Sequence, residues 1–300
     1  MKRLLTALLA LTVLSTLCAA AAAETEPAAE PAFIRVWGTV SPWDGEGIYL
    51  KNGNAEDSLS EVVIHTGEAL AVDAATGLPM DLKEVKEGST LYAWVKPYMT
   101  MSLPPQTSAE VVVGNLPAGA AAPEYCEIAG PAVPGEGVTK FALTGGETLT
   151  VNGKTAYTPW LTRQIVRMED LVPGSRVLVW KDKAGTAEKV LLFPYGYQGY
   201  VSLGEDGTIH FNGEALAAKA RQDGLVPIRA VAEAAGYEVR WADGVVITRD
   251  GEAVFTAQPG SDVLQMPDGE MGLSAPCLKE GGATYLAARD LCRNLNLFLI

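Results

Sequence analysis

The sequence is short of the side chains on which many enzymes and nucleic-acid-binding proteins depend. Its 300 residues include only 2 histidines, and 23 basic side chains face 36 acidic ones, which gives a formal net charge of −13. This charge repels phosphate backbones, so nucleic acid is excluded as a partner. A copper site built on imidazoles needs several histidines, whereas His65 and His210 fall in different predicted modules. No metal and no cofactor is expected.

Motifs of covalent chemistry are also missing. The chain has no Gly-x-Ser-x-Gly, Ser-x-x-Lys, His-Glu-x-x-His or Cys-x-x-Cys sequence, so no nucleophile, zinc-protease or thioredoxin-type site is indicated. Gly153-Lys154-Thr155 imitates a phosphate loop, but Thr148 stands where the first glycine is required. Acidic pairs such as Asp44 and Glu46 lie at predicted turns without calcium-loop spacing. The chain is therefore expected not to be an enzyme.

One apolar run approaches the length of a membrane span, and it lies at the N-terminus. Lys2 and Arg3 precede the run, and alanines at 19–23 offer small residues before a cut at Glu24. Residues 1–23 are predicted to be a secretory signal peptide, and residues 24–31 a flexible leader.

Two other interpretations of this segment stay open. One is a lipoprotein anchored through Cys18, although Leu17 is large for that role, and the other is a retained anchor, although the run is short for a span. No integral membrane segment is expected after cleavage. We expect a secreted or cell-envelope protein in an oxidising compartment. Three cysteines, Cys126, Cys277 and Cys292, remain after cleavage, and an odd number cannot pair completely within one chain.

Turn dipeptides are abundant and predict antiparallel β structure. Asp-Gly and Asn-Gly sequences, many of them flanked by β-branched runs, suit the type I′ turn of a hairpin. The predicted strands have ordinary lengths and cover Phe33 to Val40, Glu61 to His65, Leu91 to Val95, Val111 to Val113, Val177 to Trp180 and Val190 to Phe193.

An internal repeat organises the first two thirds of the chain. Residues 82–94 match residues 168–180 at an offset of 86, including a Gly-Ser pair and a tryptophan. We predict two tandem small antiparallel β barrels or sandwiches at 32–116 and 124–196, joined by an Ala/Gly/Pro linker at 117–123.

The first copy has eight additional residues, Tyr98 to Pro105, whose prolines do not suit a central strand. We predict a protruding loop there. The candidate binding surface consists of Trp43 in a predicted turn together with the loop residues Tyr98, Met99, Met101 and Leu103.

The last third contains a second repeat. Residues 226–235 align with residues 286–295 at an offset of 60, and both copies place apolar residues at i, i+3, i+4 and i+7. Pro227 suits the first turn of a helix, and Gly236 suits the position that ends one. This pattern predicts a duplicated hairpin-helix-strand domain at 197–300, so the whole chain is expected to be mainly β with an α+β C-terminal domain.

The segment from Gly224 to Trp241, followed by Asp243-Gly244 and Val245 to Thr248, resembles the copper amine oxidase N-terminal-like domain. The resemblance covers about residues 197 to 300. It implies an α+β fold and a non-catalytic stalk module of exported Gram-positive proteins. The Asn-Tyr dipeptide that the oxidase's cofactor requires is absent. The second copy departs from the family pattern at Ala287-Ala288 and has a short closing strand.

Arg229 and Arg289 recur at matching positions of the two predicted helices. Each is a candidate for a structural ion pair or a bond to a strand carbonyl, because the guanidinium is a rigid fork of donors. A role facing a ligand is the alternative. The six tryptophans pose a similar choice between a carbohydrate platform and packing, and Trp43 is the best candidate for exposure.

Two functional hypotheses follow. The first is a non-catalytic exported cell-envelope or extracellular protein that acts as a structural spacer or binding module, with an envelope protein or glycan as its unidentified partner. The second is a glycosidase-like envelope hydrolase whose carboxylates come together only in the fold. A cleft with two convergent acids favours the second hypothesis, and shallow surfaces favour the first.

Overall fold

The structure, a computed structural model, describes residues 33–161 and 164–300. The predicted signal peptide and leader lie outside these residues. The described chain is mainly β, as predicted, with two short α-helices in its C-terminal third.

The first region is a small closed barrel with an internal core. Its strands are β1 (Ile34–Ser41), β2 (Ile48–Lys51), β3 (Glu61–His65), β4 (Leu70–Asp73), β5 (Thr90–Val95) and β6 (Gln106–Gly114), with a 3-10 turn at Leu82–Glu84. The order β3-β2-β1-β5-β6 closes on itself because β3 also pairs in parallel with β6, and β4 adds to the outer edge of β6. Five strands connected in this order have the topology of an OB-fold barrel.

Alternating apolar residues fill the barrel. On β3, Val62 and Ile64 point inward with Leu50 of β2 and are fully buried. Strand β1 pairs with β5 from Ile34 to Thr39 and with β2 from Thr39 to Ser41, so Thr39 pairs with both strands. A side chain at Gly38 would lie 2.7 Å from the Lys51 backbone nitrogen, so glycine permits this close crossing.

The second β region has a related set of pairings. Its strands are β7 (Glu124–Glu127), β8 (Val133–Pro134), β9 (Val138–Ala142), β10 (Thr148–Asn152), β11 (Ala156–Pro159), β12 (Arg176–Lys181) and β13 (Ala187–Leu192), with a 3-10 turn at Met168–Asp170. They form the sheets β11-β13-β12-β7 and β10-β9-β8, linked by single bridges between Ile128 and Leu143 and between Thr150 and Thr186. Strands β5 and β12 begin and end 86 residues apart.

One hydrophobic cluster joins the barrel to the second β region. It contains Trp94 and Val111 from the barrel and Tyr125, Leu178 and Phe193 from the second region, among others, all of them buried. The aromatic rings meet at angles, for example Tyr125 and Phe193 with centroids 5.9 Å apart. The sheet face that carries β5 and β6 is thereby covered.

The C-terminal region contains the remaining strands and both helices. The strands are β14 (Tyr200–Leu203), β15 (Thr208–Phe211), β16 (Glu214–Lys219), β17 (Leu225–Pro227), β18 (Glu238–Trp241), β19 (Val245–Arg249), β20 (Glu252–Ala257), β21 (Val263–Met266), β22 (Gly269–Gly272), β23 (Leu278–Glu280), β24 (Ala283–Ala287) and β25 (Phe298–Leu299). The helices are α1 (Ile228–Ala234) and α2 (Ala288–Asn294). They pack in one core with three sheets, ordered β16-β15-β14-β25, β17-β24-β23 and β18-β19-β20-β21-β22.

Both helices present the predicted apolar face to this core. Ile228, Val231 and Ala232 of α1 are buried, as are Leu291 and Cys292 of α2. Pro227 is the N-cap of α1, and α1 ends before Gly236, whose φ of +81° an ordinary L residue rarely adopts. The two repeats therefore fold as matched strand-helix units.

Candidate functional site

Two loops of the barrel lead into the two strands that flank β3, one on each side. Ile64 pairs with Ile48, the first residue of β2, and on its other side with Thr107 near the start of β6. The loop 42–47 precedes Ile48, and the loop 96–105 precedes β6. Neighbouring strands are about 4.8 Å apart, so the two loops start roughly 10 Å from each other.

Trp43 is fixed within the first of these loops. Its indole Nε1 donates to the Glu46 carbonyl oxygen at 3.2 Å, and its ring leans on Tyr49 with centroids 5.4 Å apart. A Cβ at Gly45 would lie 2.6 Å from the indole nitrogen, so the turn folds directly over the ring. The side chain is 37% exposed. The structure thus leaves one part of the indole open to a partner.

The second loop is tied down at both ends. The Thr100 amide donates to the Gln106 carbonyl at 2.9 Å, and the Gln106 amide donates to Thr100 Oγ1 at 2.9 Å. Farther down, Thr107 Oγ1 donates to the Tyr98 carbonyl at 3.1 Å, and the Pro105 carbonyl accepts from the Val63 amide. These bonds make the loop an ordered projection of β5 and β6.

The tip of this loop exposes apolar side chains. Met101 and Leu103 are essentially fully exposed, and Tyr98 is 69% exposed. We refer to Tyr98, Met101 and Leu103 as the tip surface. Met99 differs, because it is half-buried and packs against the barrel core, where it anchors the loop. Of the sequence-predicted binding residues, four thus have exposed area and one faces inward.

Polar side chains on β2 and β3 form a network beside Trp43. Tyr49 donates its hydroxyl to Glu61, and the Lys51 Nζ lies 3.2 Å from Glu61 Oε1 and 4.8 Å from the centre of the Tyr49 ring. Burial is the largest cause that raises the pKa of Tyr49, and the Tyr49 hydroxyl lowers the pKa of Glu61. Sequence analysis missed this network, since its members are spread over two strands.

The two histidines lie on strands of different regions. His65 on β3 has its Nε2 3.0 Å from Gln106 Oε1, and His210 lies on β15 of the C-terminal region. Within 33–161 and 164–300, no group of three or more His, Cys, Asp or Glu side chains is arranged to hold a metal ion.

The two arginines singled out in the sequence have different surroundings. Arg229 Nη1 donates to Glu233 Oε1 at 2.7 Å and to the Val239 carbonyl at 3.0 Å. Arg289 is exposed, and in the part of the chain that the structure describes its side chain makes no ion pair. The adjacent Asp290 is buried instead and accepts from the Ser274 amide at 2.8 Å and hydroxyl at 2.7 Å.

A polar cleft lies where the three regions meet, and we call it the junction cleft. It encloses about 260 Å³ and is lined by residues that include Glu110, Glu127 and Arg176. Arg176 pairs with Glu110, whose other oxygen lies 3.7 Å from Lys96 Nζ. Glu127 accepts from the Tyr197 hydroxyl at 3.1 Å.

The two carboxyl groups of this cleft have different environments. Burial raises the pKa of Glu127 and outweighs the lowering effect of the Tyr197 hydrogen bond. Two nearby polar atoms, the Tyr125 hydroxyl and Arg176 Nε, are buried without a hydrogen-bond partner among the described residues. The structure therefore brings two acids together in a cleft, one of them paired with cations.

Comparison with known proteins identifies one part of the chain. Residues 209–298 match the family model described as copper amine oxidase N-terminal domain. This match lies within the segment for which the sequence motifs gave the same resemblance. It covers a little under a third of the chain, and it concerns an N-terminal accessory domain, not a catalytic one. No curated protein matches the chain.

No α-helix that the structure describes is long and apolar enough to cross a membrane.

Proposed function

We propose that the protein is a non-catalytic exported component of a Gram-positive-type cell envelope, which binds a protein partner through the tip surface. The C-terminal region acts as the stalk-like module, in line with the match to an accessory domain. The second β region is a partly open second copy of the barrel, which the shared strand order and the 86-residue offset support.

The observation that carries this proposal is the exposure of Tyr98, Met101 and Leu103 on an ordered loop. A group of exposed apolar side chains on one ordered loop is typical of a contact surface. The segment 97–106 contains no charged residue, so it suits an apolar protein surface. OB-fold barrels bind ligands with the loops after their first and fourth strands, which here carry Trp43 and the tip surface.

The nature of the partner follows from charge and chemistry. An acidic chain does not favour nucleic acid, which is a common ligand of OB-fold barrels. Methionine and leucine adapt to apolar protein grooves and offer no flat ring for a sugar. Tyr98 and Trp43 add the aromatic area that is enriched in protein interfaces.

Site-specific photocrosslinking in intact cells tests the proposal. A benzophenone amino acid replaces Met101 in one variant and exposed Lys183 of the second β region in the control. We expect one discrete protein adduct at position 101 and none at position 183, and the adduct should disappear when Leu103 is also changed to Ser. Equal labelling at both positions, or none at 101, contradicts the proposal, as does recovery of the chain in the cytoplasm.

One observation favours the second function, a glycosidase-like hydrolase. The junction cleft holds Glu127, whose pKa is raised by burial, beside Glu110, which is paired with Arg176. A carboxyl group whose pKa is raised by burial, beside a second carboxyl group, is the kind of pair that glycoside hydrolysis uses. Release of reducing ends from purified cell-wall glycan tests it. Turnover that is lost in both Glu110→Gln and Glu127→Gln, but not in the exposed Glu188→Gln control, supports a hydrolase, and absence of turnover excludes it for that substrate.

A further inference from the structure

The C-terminal region contains a cleft that the proposed function does not use. It encloses about 360 Å³, within the range of small-molecule sites. It lies between the start of α1, the edge strand β18 and the hairpin of β23 and β24. Its walls are mixed: Pro227, Ile228, Val239 and Val245 form an apolar part, and Arg229, Lys279 and Thr284 form a polar part. We call it the Trp241 cleft.

Trp241 supplies a flat apolar surface at the mouth of this cleft. The indole is 50% exposed, whereas Val239, two residues earlier on the same strand, is buried. A half-exposed indole beside an open cavity can stack with another ring, because aromatic pairs prefer offset or edge-to-face contact. The cleft therefore has a platform as well as a volume.

A cation already lies on this platform. The Lys279 Nζ is 3.7 Å from the centre of the Trp241 ring, and Lys279 projects from the exposed hairpin next to the Gly281-Gly282 turn. A cation–π contact at an exposed site is weak and shifts a population only about two- to fivefold. Lys279 can therefore leave the ring when a better partner for its charge arrives.

Arg229 supplies a second cation. Its bonds to Glu233 and to the Val239 carbonyl use Nη1 only, and among the described residues no contact occupies Nη2 or Nε. The bond to Val239 also occupies a backbone carbonyl of the edge strand β18, which hinders a peptide from adding there as a further strand. The remaining N–H groups, on Nη2 and Nε, can donate hydrogen bonds to an anionic group.

These features together define the chemistry of a ligand. Two cations in a cleft of an acidic chain favour an anionic group. A sugar acid fits the apolar part of the walls poorly, because its hydroxyls would lose water there, and Thr284 is the one hydroxyl side chain among the lining residues. A flat apolar ring that carries one carboxylate matches the platform, the walls and the charges.

We propose that the Trp241 cleft binds small aromatic carboxylates. The ring of the ligand stacks on Trp241 at the position that Lys279 now covers. The displaced Lys279 ammonium and the free donors of Arg229 then bind the carboxylate, so the cation–π contact is exchanged for a charge pair. The peptide-like and sugar-like alternatives are outcomes of the test below.

The direct test is titration calorimetry of the full chain with indole-3-acetate. A dissociation constant in the millimolar range or below is expected. Indole-3-acetamide has the same ring without the charge and should bind at least about threefold more weakly. Added salt should weaken the binding of indole-3-acetate but not that of the amide. Glucuronate tests the sugar acid and oligoglutamate the acidic peptide. No measurable binding of indole-3-acetate, equal binding of the amide, or tighter binding of either alternative overturns the proposal.

Variants localise the binding to this cleft. Trp241→Ala should lower the affinity for indole-3-acetate roughly tenfold, and Lys279→Ala should lower it about two- to fivefold. Lys219→Ala and Arg289→Ala are the matched controls, since these residues lie 60 positions from Lys279 and Arg229 and do not line the cleft. If Trp241→Ala fails to fold, Lys279→Ala on the exposed hairpin still tests whether indole-3-acetate binds in this cleft. Unchanged affinity in Lys279→Ala, or equal losses in the controls, overturns the assignment.

Discussion

Val226 and Leu286 lie directly opposite each other where β17 pairs with β24. They are 60 positions apart, which is the spacing of the C-terminal repeat, and on either side Leu225 faces Ala287 while Pro227 faces Tyr285. A local two-fold axis therefore passes between them. Helix α1 packs against β24 of the other unit, and buried residues of both units belong to one core.

The two-fold relation predicts which residues can replace Gly236. Asn296, 60 positions later, follows α2 at the matching site with φ of +50°, where Gly236 has +81°. Asparagine tolerates this left-handed conformation better than alanine. Gly236→Ala should lower the free energy of unfolding by about 1 kcal/mol and Gly236→Asn by only a few tenths. Urea unfolding of both variants measures this, and an equal loss in the two would contradict the symmetry argument.

The barrel loop should separate into an anchor and a contact surface. Met99→Ala should lower the free energy of unfolding by about 1 kcal/mol, because Met99 packs against the barrel core. The double change Met101→Ser and Leu103→Ser should stay within about 0.5 kcal/mol of the parent, since both side chains are exposed. Denaturant unfolding compares them. A large loss in the double variant would show that the tip packs on the protein itself.

The junction cleft should make stability depend on pH. The pKa of Glu127 is raised on folding by burial, so its contribution is present below the pKa of the unfolded chain, near 4.5, and is lost as the pH rises through the folded pKa. Glu127→Gln should therefore raise the thermal midpoint by a few degrees or less near neutral pH, and should change it little at about pH 4.

Thermal unfolding at the two pH values measures this difference. The exposed Glu188→Gln serves as the control for loss of one acidic charge. A midpoint that falls in Glu127→Gln at neutral pH would mean that the carboxylate, held by Tyr197, is stabilising as an ion.

Cys277 and Cys292 should be unreactive in the native protein. Both are buried and unpaired, and burial raises the pKa of Cys277 to about 11 and that of Cys292 to about 12. Because the thiolate is the nucleophile, alkylation near pH 8 should be slow until denaturant is added. Mass spectrometry of pulse-labelled protein gives the rates. Rapid native labelling, or a disulfide between the two, is the opposite result.

The protein should not retain copper. His65 and His210 lie on strands of separate regions, and a tight site of imidazoles needs several in one place. After copper loading and desalting, elemental analysis should find much less than one equivalent per chain. One tightly held copper ion would overturn this prediction.

The strands and helices could be predicted better than their closure. Glu61–His65 is a strand with the predicted bounds, and the 86-residue offset places β5 and β12 correctly. The parallel pairing of Val63 with Gln106, which closes the barrel, leaves no periodic signal because the partners are far apart in sequence. The joint position of Trp43 and the tip surface depends on that closure.

The two arginines show how a repeat can mislead. Arg229 pairs with Glu233 four residues later, whereas the residue four positions after Arg289 is Arg293. The spacing i to i+4 decides whether helical charges attract or repel, so the sequence contained the signal for this difference. The Trp241 cleft had no such signal, because its walls come from segments that meet only in the folded core.

The aromatic cluster between the barrel and the second β region has a mechanical consequence. Trp94 and Val111 interlock with Tyr125 and Leu178, so rotation about the segment 117–123 would pull large apolar side chains into water. The loop end of the barrel thus keeps a set direction relative to the second β region, and a force on the tip passes through packed sheets. The two regions therefore hold each other in one orientation, which would give the proposed contact at the tip surface a fixed direction.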